Sequence, residues 1–179
     1  GCWVGPSKAR GGVQSKDWEL LNWGDGFYAI PHPTDDNIVY AESQGGNIVR
    51  VDRRINVGKD IKPYPPAGEE EYRFNWNAPI AVSSANPDRV YFAAQYLFRS
   101  NDQGESWERI SPDLTTNDPS RQNQKESGGL STDNSAAENN TTIYAVAESP
   151  LDENIIWVGT DDGNLQVTTD AGKTWTNVA

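Results

Sequence analysis

The chain has 179 residues, enough for one domain with a sizeable core, and it carries a formal net charge of -11 with a pI near 4.4. Its fifteen Lys and Arg residues are scattered instead of forming a stripe, so nucleic acid is excluded as a partner class. No apolar run approaches the length of a membrane-spanning helix, and one cysteine and one histidine leave no internal disulfide and no zinc site to expect.

Tryptophan and tyrosine occur seven times each, and apolar residues fall in short runs with no helical stripe, which predicts an all-β domain. Without a methionine the chain does not begin at its own start codon. It is expected to be a piece of a longer protein, with any targeting segment lost with the remainder. Cys2 opens the chain as a small buried hydrophobe, and the stretch as far as Trp23 reads as an incomplete unit.

The first complete unit is YAIPHPTDDNIVYAESQGGNIVRVD, Tyr28 to Asp52: a strand, a turn, a second strand, a short turn and a third strand. His32 lies between Pro31 and Pro33 and is read as a turn residue. With no second histidine and no GxSxG string, no nucleophile–histidine pair is expected. GxGxxG, P-loop and HExxH strings are also missing, so neither a cofactor nor a metal is expected. The connection through Pro63-Tyr64-Pro65-Pro66 to Glu69-Glu70-Glu71 reads as solvated, with calcium coordination as the alternative.

The second unit runs from Ile80 to Ile110 and the third from Tyr144 to Val178. The second strands align as NIVYAES, RVYFAA and NIIWVGT, making Tyr40, Tyr91 and Trp157 equivalent. Each unit is an antiparallel meander. Between the last two lies PDLTTNDPSRQNQKESGGLSTDNSAAENNTT, expected to be a surface loop with mobile parts. It contains the sequons Asn139-Asn140-Thr141 and Asn140-Thr141-Thr142.

In units two and three a string joins the third strand to a fourth: RSNDQGESW, Arg99 to Trp107, and TTDAGKTW, Thr168 to Trp175. Asp102 and Asp170 are placed to accept from turn amides, Gly104 and Gly172 to supply positive φ, and Ser100, Ser106, Thr168 and Thr174 to add hydroxyl bonds. Trp107 and Trp175 then fold back as plugs between neighbouring sheets. By chance the pattern [ST]xDxGx[ST]W should occur on the order of once per million positions. The first unit keeps only Asp52 of it.

This motif resembles the Asp-box, or bacterial neuraminidase repeat, which implies a β-propeller. WGDGFYAI, NIVYAESQGG, RFNWNAPIAVS, LFRSNDQGESWERISPDL and SPLDENIIWVGTDDGNLQVTTDAGKTW resemble a group of bacterial propeller proteins labelled glycosyl hydrolases, similar in turn to the sortilin propeller. The resemblance implies an arc of about three four-stranded antiparallel blades, part of a propeller: a partial blade at 1–23, blades at 24–72, 73–115 and 143–179, and a surface loop at 116–142. It further implies a secreted or extracytoplasmic bacterial protein whose remaining blades come from the parent or from other chains. No arginine cluster or tyrosine nucleophile of a sialidase maps onto this chain.

Because strands of a meander alternate in direction, the turns Asn86-Pro87-Asp88 and Leu151-Asp152-Glu153 share a rim with the tryptophan hairpins, and the other loops collect on the opposite rim. Binding on that rim is expected to use Trp23, Arg73, Asn75, Trp76, Asn77 and Asp161, since aromatic rings stack on pyranose faces while amide, guanidinium and carboxylate groups bond hydroxyls. Asp25, between two glycines, reads either as a catalytic carboxylate or as a turn aspartate. Asp162 is its partner in catalysis or part of a β-turn. Two functions stay open: a carbohydrate-active propeller, or a non-catalytic one that binds peptide or protein.

Overall fold

The structure is a computed structural model describing residues 1–124, 137 and 139–179; much of the loop predicted between the last two units lies outside them. Strands β1 (Cys2–Val4) and β2 (Glu19–Asn22) form a two-stranded ribbon. Three four-stranded antiparallel sheets follow, each a meander in chain order. The first contains β3 (Gly26–His32), β4 (Asp35–Ser43), β5 (Asn47–Asp52) and β6 (Val57–Asp60). The second contains β7 (Ile80–Val82), β8 (Val90–Ala93), β9 (Leu97–Ser100) and β10 (Glu108–Arg109). The third contains β11 (Ile143–Ser149), β12 (Asp152–Thr160), β13 (Leu165–Thr168) and β14 (Thr176–Asn177). These are the blades of a partial β-propeller.

The core lies between blades, because successive strand residues point to opposite faces. On β4, Val39 and Ala41 pack toward the ribbon with Cys2 and Leu21, whereas Tyr40 packs toward the second blade. On β8 the alternation repeats: Phe92 joins Tyr40, Phe74 and Phe98, while Tyr91 joins Ile143 and Ile156 of the third blade. Full burial of one such aromatic side chain contributes about 1.5–3 kcal/mol. Each blade is therefore held by its neighbours more than by itself.

The two tryptophan-ended strings are hairpin clasps. Ser100 Oγ accepts from the amides of Asp102 (3.2 Å) and Gly104 (2.7 Å), and Asp102 Oδ1 accepts from the Ser106 amide at 2.9 Å. Thr168 and Asp170 repeat this with Gly172 (3.0 Å) and Thr174 (2.9 Å). Hydrogen bonds from Ser106 and Ser100, and from Thr174 and Thr168, hold both carboxyls near a pKa of about 2. Two consecutive residues turn left-handed in each clasp, Gln103 with Gly104 and Ala171 with Gly172. The non-glycine member costs of order 1 kcal/mol, offset by amide bonds to Asp88 O and Asn154 O, both 3.0 Å, on the turn beneath.

Gly104 and Gly172 are also close-approach positions. A Cβ on Gly104 would lie 2.6 Å from Ile61 Cδ1, and one on Gly172 would lie 2.6 Å from Ile110 O. Each clasp thus closes over the end of the preceding blade. There the indoles of Trp107 and Trp175 donate to Ile61 O (2.6 Å) and Ile110 O (3.1 Å).

The first blade turns differently. Ile38 pairs with Asp52, one residue before the register in which Val39, Val90 and Ile156 pair with Val51, Ser100 and Thr168. Val51 therefore holds the hydroxyl position and Arg53 the aspartate position. Asp52 instead braces a tight turn by accepting from the Arg54 amide at 3.0 Å. His32 is buried, accepts from the Thr34 amide, and lies 3.3 Å from Asp88 of the second blade.

Candidate functional site on the entrance rim

The rim opposite the clasps is built from segments entering each first strand and from turns between second and third strands. At the first blade, Gln44 Oε1 accepts from the Asp25 amide (2.7 Å) and Gln44 N donates to Asp25 O (3.1 Å). Gly45 N donates to Trp76 O at 3.1 Å, joining this loop to the segment that enters the second blade. A small patch results. Trp23 is 78% exposed and Phe27 41%, and Phe27 meets Trp76 edge to face with centroids 5.9 Å apart. Asp25 is exposed, and its carboxylate makes no hydrogen bond among the described residues.

Five other residues expected at the site are engaged in holding loops together. Arg73 pairs with Asp113 at 2.6 Å, and its amide donates to Gln95 Oε1 at 2.8 Å. Asp161 accepts from Asn75 Nδ2 (3.2 Å), Thr142 N (2.9 Å) and Thr142 Oγ1 (2.7 Å). Asn75 Oδ1 takes the Asn77 amide at 3.0 Å. Asp162 accepts from Thr116 N and Thr116 Oγ1, both 2.7 Å, and from Thr160 Oγ1. Burial raises the Asp162 carboxyl, but the bonds from Thr160 and Thr116 outweigh it and leave the pKa lowered.

Beneath the patch lies a carboxyl that sequence reasoning passed over. Glu42 is fully buried on β4, and neither of its oxygens makes a hydrogen bond. Burial pushes it to about 8, against the pull of the nearby Ala78 and Gly46 amides and of Lys62. The equivalent residues are Ala93 and Gly159, which the strand register reveals and a strand pattern does not. Phe27 was missed too, and only its adjacency to WGDG marked it, whereas Gln44 lies in a turn that the alternation of strand direction already assigns to this rim.

No family model matches this chain. It is 27% identical over 157 residues to a probable oligoxyloglucan-reducing end-specific xyloglucanase of Neosartorya fischeri. It is 29% identical over 162 residues to the oligoxyloglucan-reducing end-specific xyloglucanase of Emericella nidulans. These alignments cover 83% and 84% of this chain and 17% of each relative, so the chain spans about a sixth of the length of the curated relatives it matches. Both relatives are fungal, whereas the sequence resemblance implied a bacterial group. Among solved structures, an ancestral GH74 enzyme superposes with a TM-score of 0.53 at 14% identity, over 87% of this chain and 18% of that one. The likeness agrees with the blade architecture described above.

Proposed function

We propose that this arc is a segment of a secreted, carbohydrate-active Asp-box propeller of the glycosyl hydrolase type, and that Trp23, Phe27, Trp76 and Asp25 form a sugar-binding patch on its entrance rim. One observation carries the reading: an unbonded, exposed carboxylate lies two residues along the chain from each of the exposed Trp23 and Phe27, on a loop braced by Gln44. The xyloglucanase names of the two curated relatives support it.

Chemically, an aromatic ring covers the apolar face of a pyranose while the Asp25 carboxylate accepts from its hydroxyls or serves the reacting centre. Glycoside cleavage takes two carboxyl groups, roughly 5–5.5 Å or 6.5–9.5 Å apart according to stereochemistry. A general acid needs a raised pKa. Asp162 has a lowered one, so in a catalytic pair it would act as the anion. Proton donation falls to a residue of another blade. Arg73, Asn75, Asn77 and Asp161 frame the rim by fixing its loops.

The test is titration of xyloglucan oligosaccharides followed by tryptophan fluorescence. Trp23→Ala is expected to weaken binding roughly tenfold. Asp25→Asn, placed in the complete protein, is expected to abolish turnover while leaving binding measurable. Binding of peptides with no response to any glycan would overturn this reading in favour of a sortilin-like one.

A further inference from the structure

Two junctions join the three blades, each covered by a clasp, and strand register makes their charged positions comparable one by one. Arg50 pairs with Lys59 in the first blade as Arg99 pairs with Glu108 in the second, and Val49 pairs with Asp60 as Phe98 does with Arg109. Within the clasps, Glu105 follows Gly104 as Lys173 follows Gly172. In both junctions the arginine reaches the clasp backbone in the same way. Arg50 Nη1 donates to Gln103 O at 2.9 Å, and Arg99 Nη1 to Ala171 O at 3.2 Å.

What surrounds that shared bond differs. The first junction holds two cations and two carboxylates at these positions, and each has a partner. Arg50 and Lys59 both meet the Glu105 carboxylate, while Asp60 accepts from Lys62 N and Tyr64 Oη, both 2.9 Å. The second junction holds three cations and one carboxylate. Arg99 takes that carboxylate, Glu108, at 2.8 Å. Arg109 lies over the Tyr96 ring at 4.7 Å, and its Nη1 is 4.0 Å from the exposed Glu69. Lys173 is exposed and has no ion pair among the described residues. The three cations line one cavity of about 490 Å³ with Ile110 and Pro112, a volume within the range of small-molecule sites. On a chain of net charge -11 this surplus of positive charge is a local feature, set by the residues of one junction.

We propose that the cavity binds a carboxylate between Lys173 and Arg109, and that the group that brings it is a uronic acid residue of an acidic glycan. The first junction shows the chemistry. There the clasp itself supplies the carboxylate that Arg50 and Lys59 require, and lysine in the place of Glu105 leaves the anion of the second junction to come from outside. Pro112, exposed at the wall of the cavity, offers apolar surface to the sugar ring. The sugar rests on the carbohydrate reading above, whereas the carboxylate rests on the charges alone. The site is separate from the Trp23 patch, which stands on the entrance rim of the first blade.

The experiment titrates the full chain with sodium glucuronate and follows the backbone amides of Gly172 and Lys173 and the Arg109 side chain by nitrogen-15 NMR. Saturable shifts in the millimolar range are expected, with none from glucose, which has the ring without the charge. Lys173→Glu copies the arrangement of the first clasp and should fold as that clasp does. It is expected to weaken glucuronate binding roughly tenfold, because one attraction is lost and one repulsion gained. Lys8→Glu makes the same charge change in the loop of the ribbon and is expected to leave binding unaltered. The proposal is overturned if glucuronate gives no saturable shift, if glucose acts equally, or if the two variants behave alike. Tighter binding of acetate or of N-acetylglutamate amide than of glucuronate overturns the sugar assignment. Failure here leaves the reading of the entrance rim to the xyloglucan titration at Trp23, whose ligand is neutral and which Lys173→Glu is expected to leave unchanged.

Discussion

The two covered junctions share a geometry and differ in what lies buried within it. Tyr40 and Tyr91 are equivalent and fully buried. The Tyr91 hydroxyl donates to Glu148 Oε2 at 2.7 Å, and Glu148 also accepts from Ser83 Oγ (2.7 Å) and Ser84 N (3.1 Å), with Arg89 3.6 Å away. The Tyr40 hydroxyl has no partner, because Val82 stands where the third blade has Glu148. Beside it Glu42 is buried without a hydrogen bond. The second junction thus gives its buried tyrosine hydroxyl an acceptor from the next blade, although Arg99 Nε is left without one, whereas the first is an aromatic layer of Phe74, Phe92 and Phe98 that leaves the Tyr40 hydroxyl unpartnered. Packing suffices to hold a junction, and a hydrogen bond across the blades makes it depend on particular residues.

The largest effect that sharpens this contrast belongs to Glu148→Ala. It leaves the buried Tyr91 and Ser83 hydroxyls without their acceptor, while Arg89 keeps Glu153 and Asn101, and a loss of about 3–5 kcal/mol is expected from denaturant unfolding, at about 1–3 kcal/mol for each buried donor left unsatisfied. Loss of less than a third of that would mean the network is decorative and the two junctions are alike.

Glu42 yields the next effect, with a pH signature. Its carboxyl is raised in the fold to about 8, so the folded state holds a proton the unfolded chain has released. The corresponding stability is present at low pH and fades as pH climbs from the unfolded value near 4.5 through 8. Linkage sets its size at about 3 kcal/mol between pH 5 and 8. Glu42→Gln is expected to flatten that decline, which thermal melts at pH 5 and pH 8 would record. The clasps titrate in the opposite sense. Asp102 and Asp170 are depressed to about 2, so their contribution is complete above the unfolded value near 3.8 and is lost as pH falls through 2. Melts repeated between pH 4 and 2 on Asp102→Asn should therefore lose part of the wild-type acid slope.

How much of this could be read from the sequence follows the range of the interactions. The clasps were legible because donors and acceptors fall within eight residues: Ser100 Oγ meets Gly104 N and Asp102 meets Ser106 N, four residues apart in each case. The alternation placing Tyr40 and Val39 on opposite faces was legible for the same reason. Asp52 was misleading, since an aspartate after a third strand fits the pattern while its register is one residue off. The junction chemistry was hidden, because Tyr91 and Glu148 are 57 residues apart and nothing local couples them. On the rim, Trp23 and Trp76 looked alike, and only the placement of Phe27 and Gly45 distinguishes the exposed ring from the braced one.

The smallest effects give the finest test, because they compare one substitution at two equivalent positions. Tyr91→Phe removes a donor from a buried carboxylate and is expected to cost about 1–3 kcal/mol. Tyr40→Phe removes a hydroxyl that has no partner and is expected to be neutral or slightly stabilising, since the buried group is deleted without orphaning another. Measured as a pair by chemical denaturation, the two differences should not overlap. If Tyr40→Phe costs as much as Tyr91→Phe, the Tyr40 hydroxyl has a partner after all, and the distinction between an aromatic and a polar junction fails at the residue that defines it. The neutral result would instead mean that Val82→Glu, by supplying the missing acceptor, should make Tyr40→Phe costly and turn the first junction into a copy of the second.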